Sequence, residues 1–424
     1  MNSDPQVFLH SLVDYEKTNG YDYDLDAYKC FLENLNAPHK KLTNVILIGG
    51  TKGKGSTAAI INACLISAGY KVGLYTSPHL KTLHERIKVN DKEITNRELN
   101  VYIGMIKPLI ESGKGAHSFF EALTTIALMH FLRTQTDFAI LEVGLGGRLD
   151  ATNAANPLMS VITRIGYDHT NLLGTRLSQI AREKAGIIRK DGRLITIHQR
   201  PAVEKTIRAI VRKKGSSIIY ADDQHDLDVV NQSLIGSSLI VAGTIGEFET
   251  FLPLAGAHQI ENLMLVLAAL SELRKLNFAL RNHQIAEGIK KTKLHGRFEV
   301  VSEDPLVIFD CAHNEDSFQA LEKNLDAFEI KDFSLIFGTN HDKDIGYCLK
   351  HIFPRARHVF LVRADNPRAL HPHELFGQAR KYQKNVSTNN SVVDAIRIAT
   401  KNVNGEQAVI ITGSFYLWQD EWQV

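Results

Sequence analysis

The chain has 424 residues, with 49 Lys+Arg against 47 Asp+Glu, a net charge of +2, and 44% hydrophobic and 8% aromatic residues. That balance is ordinary for a globular protein with room for two or three domains of ~150 residues, and it excludes bulk electrostatic affinity for nucleic acid or a membrane surface. The four cysteines, Cys30, Cys64, Cys311 and Cys348, lie far apart with no CxxC spacing, so neither a disulfide framework nor a zinc site is signalled and a reducing cytoplasm is the expected setting.

The first residues, MNSDPQVFLHSLVDYEK, include acids and lack a long apolar core, so they do not read as a secretory signal. No run of roughly eighteen apolar residues predicts a membrane span. Residues 5–36 carry helical periodicity, with a loop expected over 19–24 and Asp26 as a candidate opener of the second helix. Residues 44–56 follow, read as NVILIGGTKGKGS. The apolar run Val45-Ile46-Leu47-Ile48 predicts a strand, the glycines a turn, and 58–68 a helix ending at Gly69. Such a turn suits phosphate: converging N–H groups and the helix N-terminus favour an anion, Lys54 reaches the terminal phosphates, and a hydroxyl meets Mg²⁺. The standard P-loop has Ser or Thr directly after the lysine. Here Gly55 intervenes before Ser56. The alternative is that the glycines serve only to turn the chain.

A strand is expected over 71–75 and a loop at Thr76-Ser77-Pro78-His79, because proline restricts Ser77 to extended geometry. Residues 84–89 lead into an Asn90-Asp91 turn. Helices are expected over 96–112 and 119–133, the second apolar nearly all round and hence buried. Strands follow over 138–143 and 158–165, a helix over 179–190 and a strand over 193–198. Residues 217–254 alternate like antiparallel β, and helices follow over 258–276 and 282–291. A linker is expected near 293–297, beyond which strands over 306–309, 334–337, 358–362 and 408–411 alternate with helices near 314–328, 343–351, 372–382 and 391–402. The prediction is an α/β protein: a mostly parallel N-terminal domain over 1–294 and a smaller Rossmann-like α/β domain over 295–424.

Ligands of open α/β sheets bind beyond the carboxyl ends of the strands. The polar residues there are Lys54, Ser56, Ser77, Glu142 and Asp168-His169. Glu142 sits among Phe138, Ile140, Leu141 and Val143, where a carboxylate needs a partner. The partner is either Arg148 or a lysine, or a Mg²⁺ ion, which prefers oxygen donors. His169 reads either as a capping or core residue or, beside Asp168, as part of a site. Lys184, alone, reads as a solvated helix lysine. Asp310-Cys311-Ala312-His313-Asn314 is either a helix start capped by Asn314 or a ligand-facing edge. A Cys311–His313 nucleophile pair is the weaker reading of that segment.

These motifs together resemble the folylpolyglutamate synthase and dihydrofolate synthase branch of the Mur ligase superfamily. Gly50-Thr51-Lys52-Gly53-Lys54-Gly55-Ser56 resembles its GTNGKGS loop, and Tyr75-Thr76-Ser77-Pro78-His79-Leu80 with Glu85-Arg86-Ile87 its YTSPHL…ERI segment. Leu141 through Asn153, read as LEVGLGGRLDATN, is a near-complete match to its most diagnostic motif. Asp168-His169, Glu183-Lys184-Ala185-Gly186-Ile187-Ile188, His258-Gln259-Ile260-Glu261-Asn262, Gly296-Arg297-Phe298-Glu299, Asp310 to Asn314 and Thr412-Gly413-Ser414 complete a set spread along almost the whole chain.

The resemblance implies an N-terminal P-loop ATP-binding domain and a C-terminal Rossmann-like domain with the active site between them. It implies ATP contacts from Gly50, Thr51, Lys52, Gly53, Lys54, Gly55, Ser56, Thr57, Asn262, Arg297, Asp310 and His313. It implies a Mg²⁺ site at Ser56, Ser77, Glu142 and His169, with a monovalent cation as a further ion. Lys184 matches a lysine carbamylated in the family, which reverses the reading of it as solvated. Lys54, Lys184, Asp310 and His313 are the catalytic candidates. His79, Arg86, Phe120 and Arg148 are the substrate-side candidates. The implied reaction is ATP-dependent addition of L-glutamate to a folate or dihydropteroate carboxylate through an acyl phosphate, by a cytoplasmic monomer that binds small molecules, not nucleic acid or membrane. Lys52 departs from the family, which has asparagine there. The competing readings are a P-loop small-molecule kinase, which shares the loop but needs no second domain, and a non-catalytic nucleotide-binding scaffold.

Overall fold

In the computed structural model, residues 5–13, 24–113, 118–366, 368–401, 407–419 and 422 are described. Contacts divide the chain into two units. One comprises residues 1–228, 239–250 and 259–292, and the other 229–238, 251–258 and 293–424.

The first unit is built on a sheet of β1 (Val45–Gly49), β2 (Val72–Tyr75), β3 (Ile87–Val89), β4 (Lys92–Glu93), β5 (Phe138–Glu142), β6 (Pro157–Ile162), β7 (Arg193–Thr196) and β8 (Ser217–Tyr220). Their order is β4-β3-β2-β5-β1-β6-β7-β8. Pairing is parallel from β2 through β8 and antiparallel only where β3 and β4 extend the edge. β1 is central and fully buried, as its unbroken apolar run requires. The chain leaves it toward β2 on one side and later fills β6 on the other, so a crevice opens beyond its carboxyl end. In register, Ile48 lies between Glu142 and Val161, which sets the end of β5 beside the glycine turn. Helices Lys54–Ser67 and Phe119–Arg133 pack on the sheet and Asn96–Glu111 packs on Phe119–Arg133; the last two helices are opened by capping boxes at Ser118 and Thr95.

β9 (His225–Ser233), β10 (Gly236–Gly243) and β11 (Phe248–Leu252) form a separate three-stranded sheet. The second unit holds a sheet of β12 (Glu299–Glu303), β13 (Leu306–Asp310), β14 (Phe333–Phe337), β15 (His358–Leu361), β16 (Val386–Thr388) and β17 (Ala408–Thr412), ordered β12-β13-β17-β14-β15-β16. All its pairs are parallel except β12–β13. The fold is therefore α/β with mostly parallel sheets. Among the described residues no helix is long and apolar enough to cross a membrane.

Several expectations change. The loop expected over 19–24 lies outside the described residues except for Asp24. Asp24, not Asp26, caps the second helix, accepting from the amides of Asp26 and Ala27 at 3.0 and 2.9 Å. The helix expected over 179–190 runs only Leu177–Lys184 and tightens into one 3₁₀ turn, Ala185–Ile187. The chain turns there because Gly186 lies against the backbone of Arg148, where an added Cβ would be 2.4 Å from the Arg148 Cα. Residues 217–220 are not antiparallel: β8 completes the parallel sheet. Helix Pro201–Lys214 and strands β12 and β16 were not anticipated. The helix did carry a signal: Pro201 at its first turn, Val203, Ile207 and Val211 at helical spacing, and Gly215 beyond its end at φ 64°.

Candidate active site

The glycine turn is held from behind. The amides of Thr51 and Lys52 donate to the Arg164 carbonyl at 3.0 and 3.2 Å, and Thr51 Oγ1 exchanges hydrogen bonds with the backbone of Gly166. Those two amides therefore serve the loop's own anchoring. The donors that helix geometry leaves over are the first-turn amides of Lys54, Gly55 and Ser56. Two glycines are obligatory here. Gly50 has φ 140° and a Cβ would fall 1.9 Å from Thr163 Oγ1, and Gly53 has φ 87° with Asn262 Oδ1 2.0 Å away. Asn262 is buried, and its Nδ2 donates to Gln259 Oε1 at 3.0 Å, so helix Ala257–Lys275 presses an ordered amide onto the loop. Neighbouring Glu261 pairs with Arg164, the residue whose carbonyl holds the loop.

Beside the loop, Glu142 is buried, only 5% exposed. Its oxygens lie 3.6 and 3.7 Å from where a Cβ on Gly55 would project, and Oε2 accepts the Ser77 amide at 3.2 Å. Ser56 is buried next in the chain, and Thr57 Oγ1 is buried with no hydrogen-bond partner among the described residues. Arg148, one of the two partners considered for Glu142, instead grips Glu183, with Nε 3.0 and 3.1 Å from the two carboxylate oxygens.

Lys184 is buried, and its Nζ donates to the Gly50 carbonyl at 2.8 Å, which overturns its reading as a solvated helix lysine. Burial first, and the nearby Lys54 ammonium second, bring its pKa down to about 7. Asp168 opposes that effect on Lys184. Burial pushes the Asp168 carboxyl up, but His169, Lys52, Lys54 and Lys184 outweigh it and bring it down to about 2. Lys52 thus belongs to the cationic ring around Asp168. His169 Nε2 lies 3.8 Å from Asp168 Oδ1, and its backbone is left-handed at φ 46°. Lys54 Nζ reaches the Thr51 carbonyl at 3.4 Å.

The turn after β5 is organised by Asp150. Its buried carboxylate accepts from the amides of Gly144, Leu145 and Thr152 and from the Thr152 hydroxyl. Phe120 is buried against Tyr75 and under Gly144, whose Cβ would strike its ring at 2.6 Å. Arg86 is 1% exposed, lies over the Phe119 ring, and donates from Nε to His79 Nδ1 at 2.8 Å. That bond needs the Nδ1 lone pair, which assigns the proton of neutral His79 to Nε2.

In the second unit, Asp310 ends β13 and accepts from the amides of Phe298 and Ala312, each at 2.8 Å. His313 Nδ1 donates to the Cys311 carbonyl at 2.8 Å, and its ring lies 5.3 Å from Phe415. Arg297 lies over the same phenylalanine at 5.2 Å. Asn314 caps helix Glu315–Ala327. Cys311 is buried, and burial pushes its thiol well up, which removes the Cys–His nucleophile reading. Sequence reasoning passed over Asp150, Gln259 and Arg164 as supports.

The model of the Mur ligase middle domain matches residues 48–270, and that of the Mur ligase, glutamate ligase domain matches residues 296–415. The chain is 32% identical over 432 residues to the dihydrofolate synthase/folylpolyglutamate synthase of Bacillus subtilis, covering 98% of this chain and 97% of that protein. It is 31% identical over 406 residues to a probable bifunctional folylpolyglutamate synthase/dihydropteroate synthase of Haloferax volcanii, covering 92% of this chain and 47% of that protein, so it spans about half the length of that relative. A structure of Escherichia coli FolC in complex with DHPP and ADP matches with a TM-score of 0.84 at 30% identity, covering 98% of this chain and 96% of that one. The chain belongs to the folylpolyglutamate synthase/dihydrofolate synthase family of Mur ligases.

Proposed function

We propose that the protein is an ATP-dependent ligase that joins L-glutamate to the carboxylate of a folate or a dihydropteroate. The observation that carries the reading is the meeting, within one unit, of the Lys54 turn, the Glu142 carboxylate and the buried Lys184 amine. A phosphate loop alone suits many reactions. A loop flanked by a desolvated carboxylate and a lysine of pKa about 7 suits one that crowds several anions together.

The first step moves the γ-phosphoryl group to the acceptor carboxylate. A carboxylate oxygen attacks phosphorus, the bond to the bridging oxygen breaks, and ADP leaves. The glutamate amine then attacks the acyl carbon, and the tetrahedral intermediate expels phosphate as the amine loses its protons. Lys54 and the first-turn amides are the proposed phosphate contacts and Asn262 a proposed nucleotide contact, with Arg297, Asp310 and His313 as further nucleotide candidates. The donor set of Ser56, Ser77, Glu142 and His169 suits Mg²⁺, since the Glu142 oxygens are desolvated beside the loop. The ion would supply charge neutralisation between carboxylate and phosphates. A Lys184 carbamate would turn a repelled cation into an anionic oxygen donor. On the acceptor side, His79 offers its Nε2–H edge, Arg86 fixes that ring, Phe120 supports the turn at Gly144, and Arg148 flanks it. The free thiols of Cys30, Cys64, Cys311 and Cys348 support a reducing, cytoplasmic setting.

The test is ADP and product analysis with dihydropteroate and with tetrahydrofolate, each with and without L-glutamate. Glutamate-dependent ADP release with an amide product supports the ligase and identifies the acceptor. A stable phosphorylated product without glutamate supports the kinase instead.

A further inference from the structure

Arg164 lies just beyond β6, and its main chain and side chain serve different neighbours. Its carbonyl accepts the Thr51 and Lys52 amides of the glycine turn. Its guanidinium reaches elsewhere. Nη1 donates to the His198 carbonyl beyond β7 at 2.9 Å, while Nε and Nη2 donate to the two carboxylate oxygens of Glu261, the Nε bond at 3.1 Å. One residue therefore joins the turn after β1, the chain after β7 and the start of helix Ala257–Lys275.

The main chain around Arg164 is pinned as well. The buried Gln199 side chain accepts the Ile165 amide at 3.2 Å and donates to the Thr163 carbonyl at 3.1 Å. The Gly166 amide donates to Thr51 Oγ1 at 3.1 Å. Arg164 thus projects its side chain from a fixed base. A guanidinium fork on a carboxylate sets distance and orientation together, which the point charge of a lysine does not. Glu261 directly precedes Asn262, whose Oδ1 stands 2.0 Å from where a Cβ on Gly53 would fall. A pair that fixes the helix at Glu261 therefore fixes how closely Asn262 approaches the turn. The pair itself is 41% and 31% exposed, where an ion pair adds little to folding stability. A site for several phosphate charges gains instead from donors held in place before the anion arrives.

We propose that Arg164 is a positioning residue for phosphoryl transfer: through Glu261 it holds the start of helix Ala257–Lys275 against the Lys54 turn, so that Lys54 and the first-turn amides meet the nucleotide phosphates in a fixed arrangement. The proposal deepens the ligase reading and rests on the turn being its nucleotide-phosphate site. Positioning and plain charge predict opposite signs at Glu261. Removing that carboxylate takes a negative charge away from an anion site, so charge alone would strengthen nucleotide binding. Loss of position weakens it. Arg164→Lys keeps the charge and loses the fork, so charge alone would leave binding unchanged.

Calorimetry of Mg·ADP binding to the full chain tests it, with Glu261→Gln, Arg164→Lys, Arg164→Ala and the double variant of Arg164→Ala with Glu261→Gln. We expect each single variant to weaken binding about tenfold, and the double variant to be no weaker than Arg164→Ala, because residues acting as one unit are not additive. In steady state the KM for ATP should rise in step, with the KM for L-glutamate within about twofold of its starting value. Tm should move by no more than about 3 °C. Glu261→Gln binding Mg·ADP as tightly as the unaltered chain or more tightly, additive losses in the double variant, or equal rises in both KM values would overturn the proposal. Where Arg164→Ala does not fold, Glu261→Gln keeps the shape of its side chain and carries the sign test alone. No Mg·ADP binding by the unaltered chain would overturn the phosphate-site reading and this proposal together. Mg·ADP binding without glutamate-dependent turnover would overturn the ligase reading, and the variants would still decide the proposal.

Discussion

The Lys184 amine donates to the Gly50 carbonyl at 2.8 Å, so a buried lysine at the end of one helix supports the first glycine of the phosphate loop. With its pKa at about 7, the free amine is the major form above neutrality. Only that form adds CO₂. A carbamate resonance from ¹³C-bicarbonate should grow as pH rises through about 7 and be absent in Lys184→Ala. Turnover of that variant should fall about 10²–10³-fold, with partial rescue by high bicarbonate. Undiminished activity would remove the lysine from the mechanism.

The same lysine sets a stability trend. Its folded pKa lies below its unfolded value of 10.5. Below about 7 it is charged in both states and its burial cost is complete. Between about 7 and 10.5 the unfolded state binds the extra proton, so stability rises with pH. Lys184→Met should therefore raise Tm more near pH 6 than near pH 9. A larger gain at the higher pH would contradict the assignment.

Glu142→Gln keeps the shape of the side chain and removes its charge beside Gly55 and Ser77. Magnesium-dependent strengthening of nucleotide binding should largely vanish in calorimetry, with turnover down about 10²–10³-fold and Tm unchanged or higher. An intact magnesium effect would exclude Glu142 from the ion site.

Gly53→Ala forces a Cβ into the space of Asn262 Oδ1, at a φ of 87° that alanine resists. Nucleotide affinity should drop at least tenfold, with a stability loss of about 1–3 kcal/mol. Asp150→Ala should cost about 1–3 kcal/mol, because four hydrogen-bond donors lose one buried acceptor. Urea denaturation measures both losses, and nucleotide affinity separates Gly53→Ala from Asp150→Ala.

The site-bearing elements were legible because their residues have single physical uses. An apolar run followed by Gly50 and Gly53 has few meanings, and capping at Thr95, Ser118 and Asn314 fixes helix starts locally. Lys184 was not legible from its own neighbours, because its burial depends on the loop after β1, more than a hundred residues away. The resemblance to a family supplied what periodicity could not. The same limit hid the support of the loop by Arg164 and Glu261 and the turn chemistry of Asp150, since each rests on pairing between distant segments or on bonds within an irregular turn. Lys52 stays an addition peculiar to this loop, now placed among the cations around Asp168.

The central claim is that the acceptor carboxylate is activated as an acyl phosphate. Its most direct test uses an acceptor with both carboxylate oxygens labelled with ¹⁸O, incubated with ATP and L-glutamate, followed by mass analysis of the phosphate released. The account predicts one ¹⁸O in each phosphate formed per amide bond, because the attacking oxygen leaves with phosphorus. Unlabelled phosphate accompanying amide formation would contradict it.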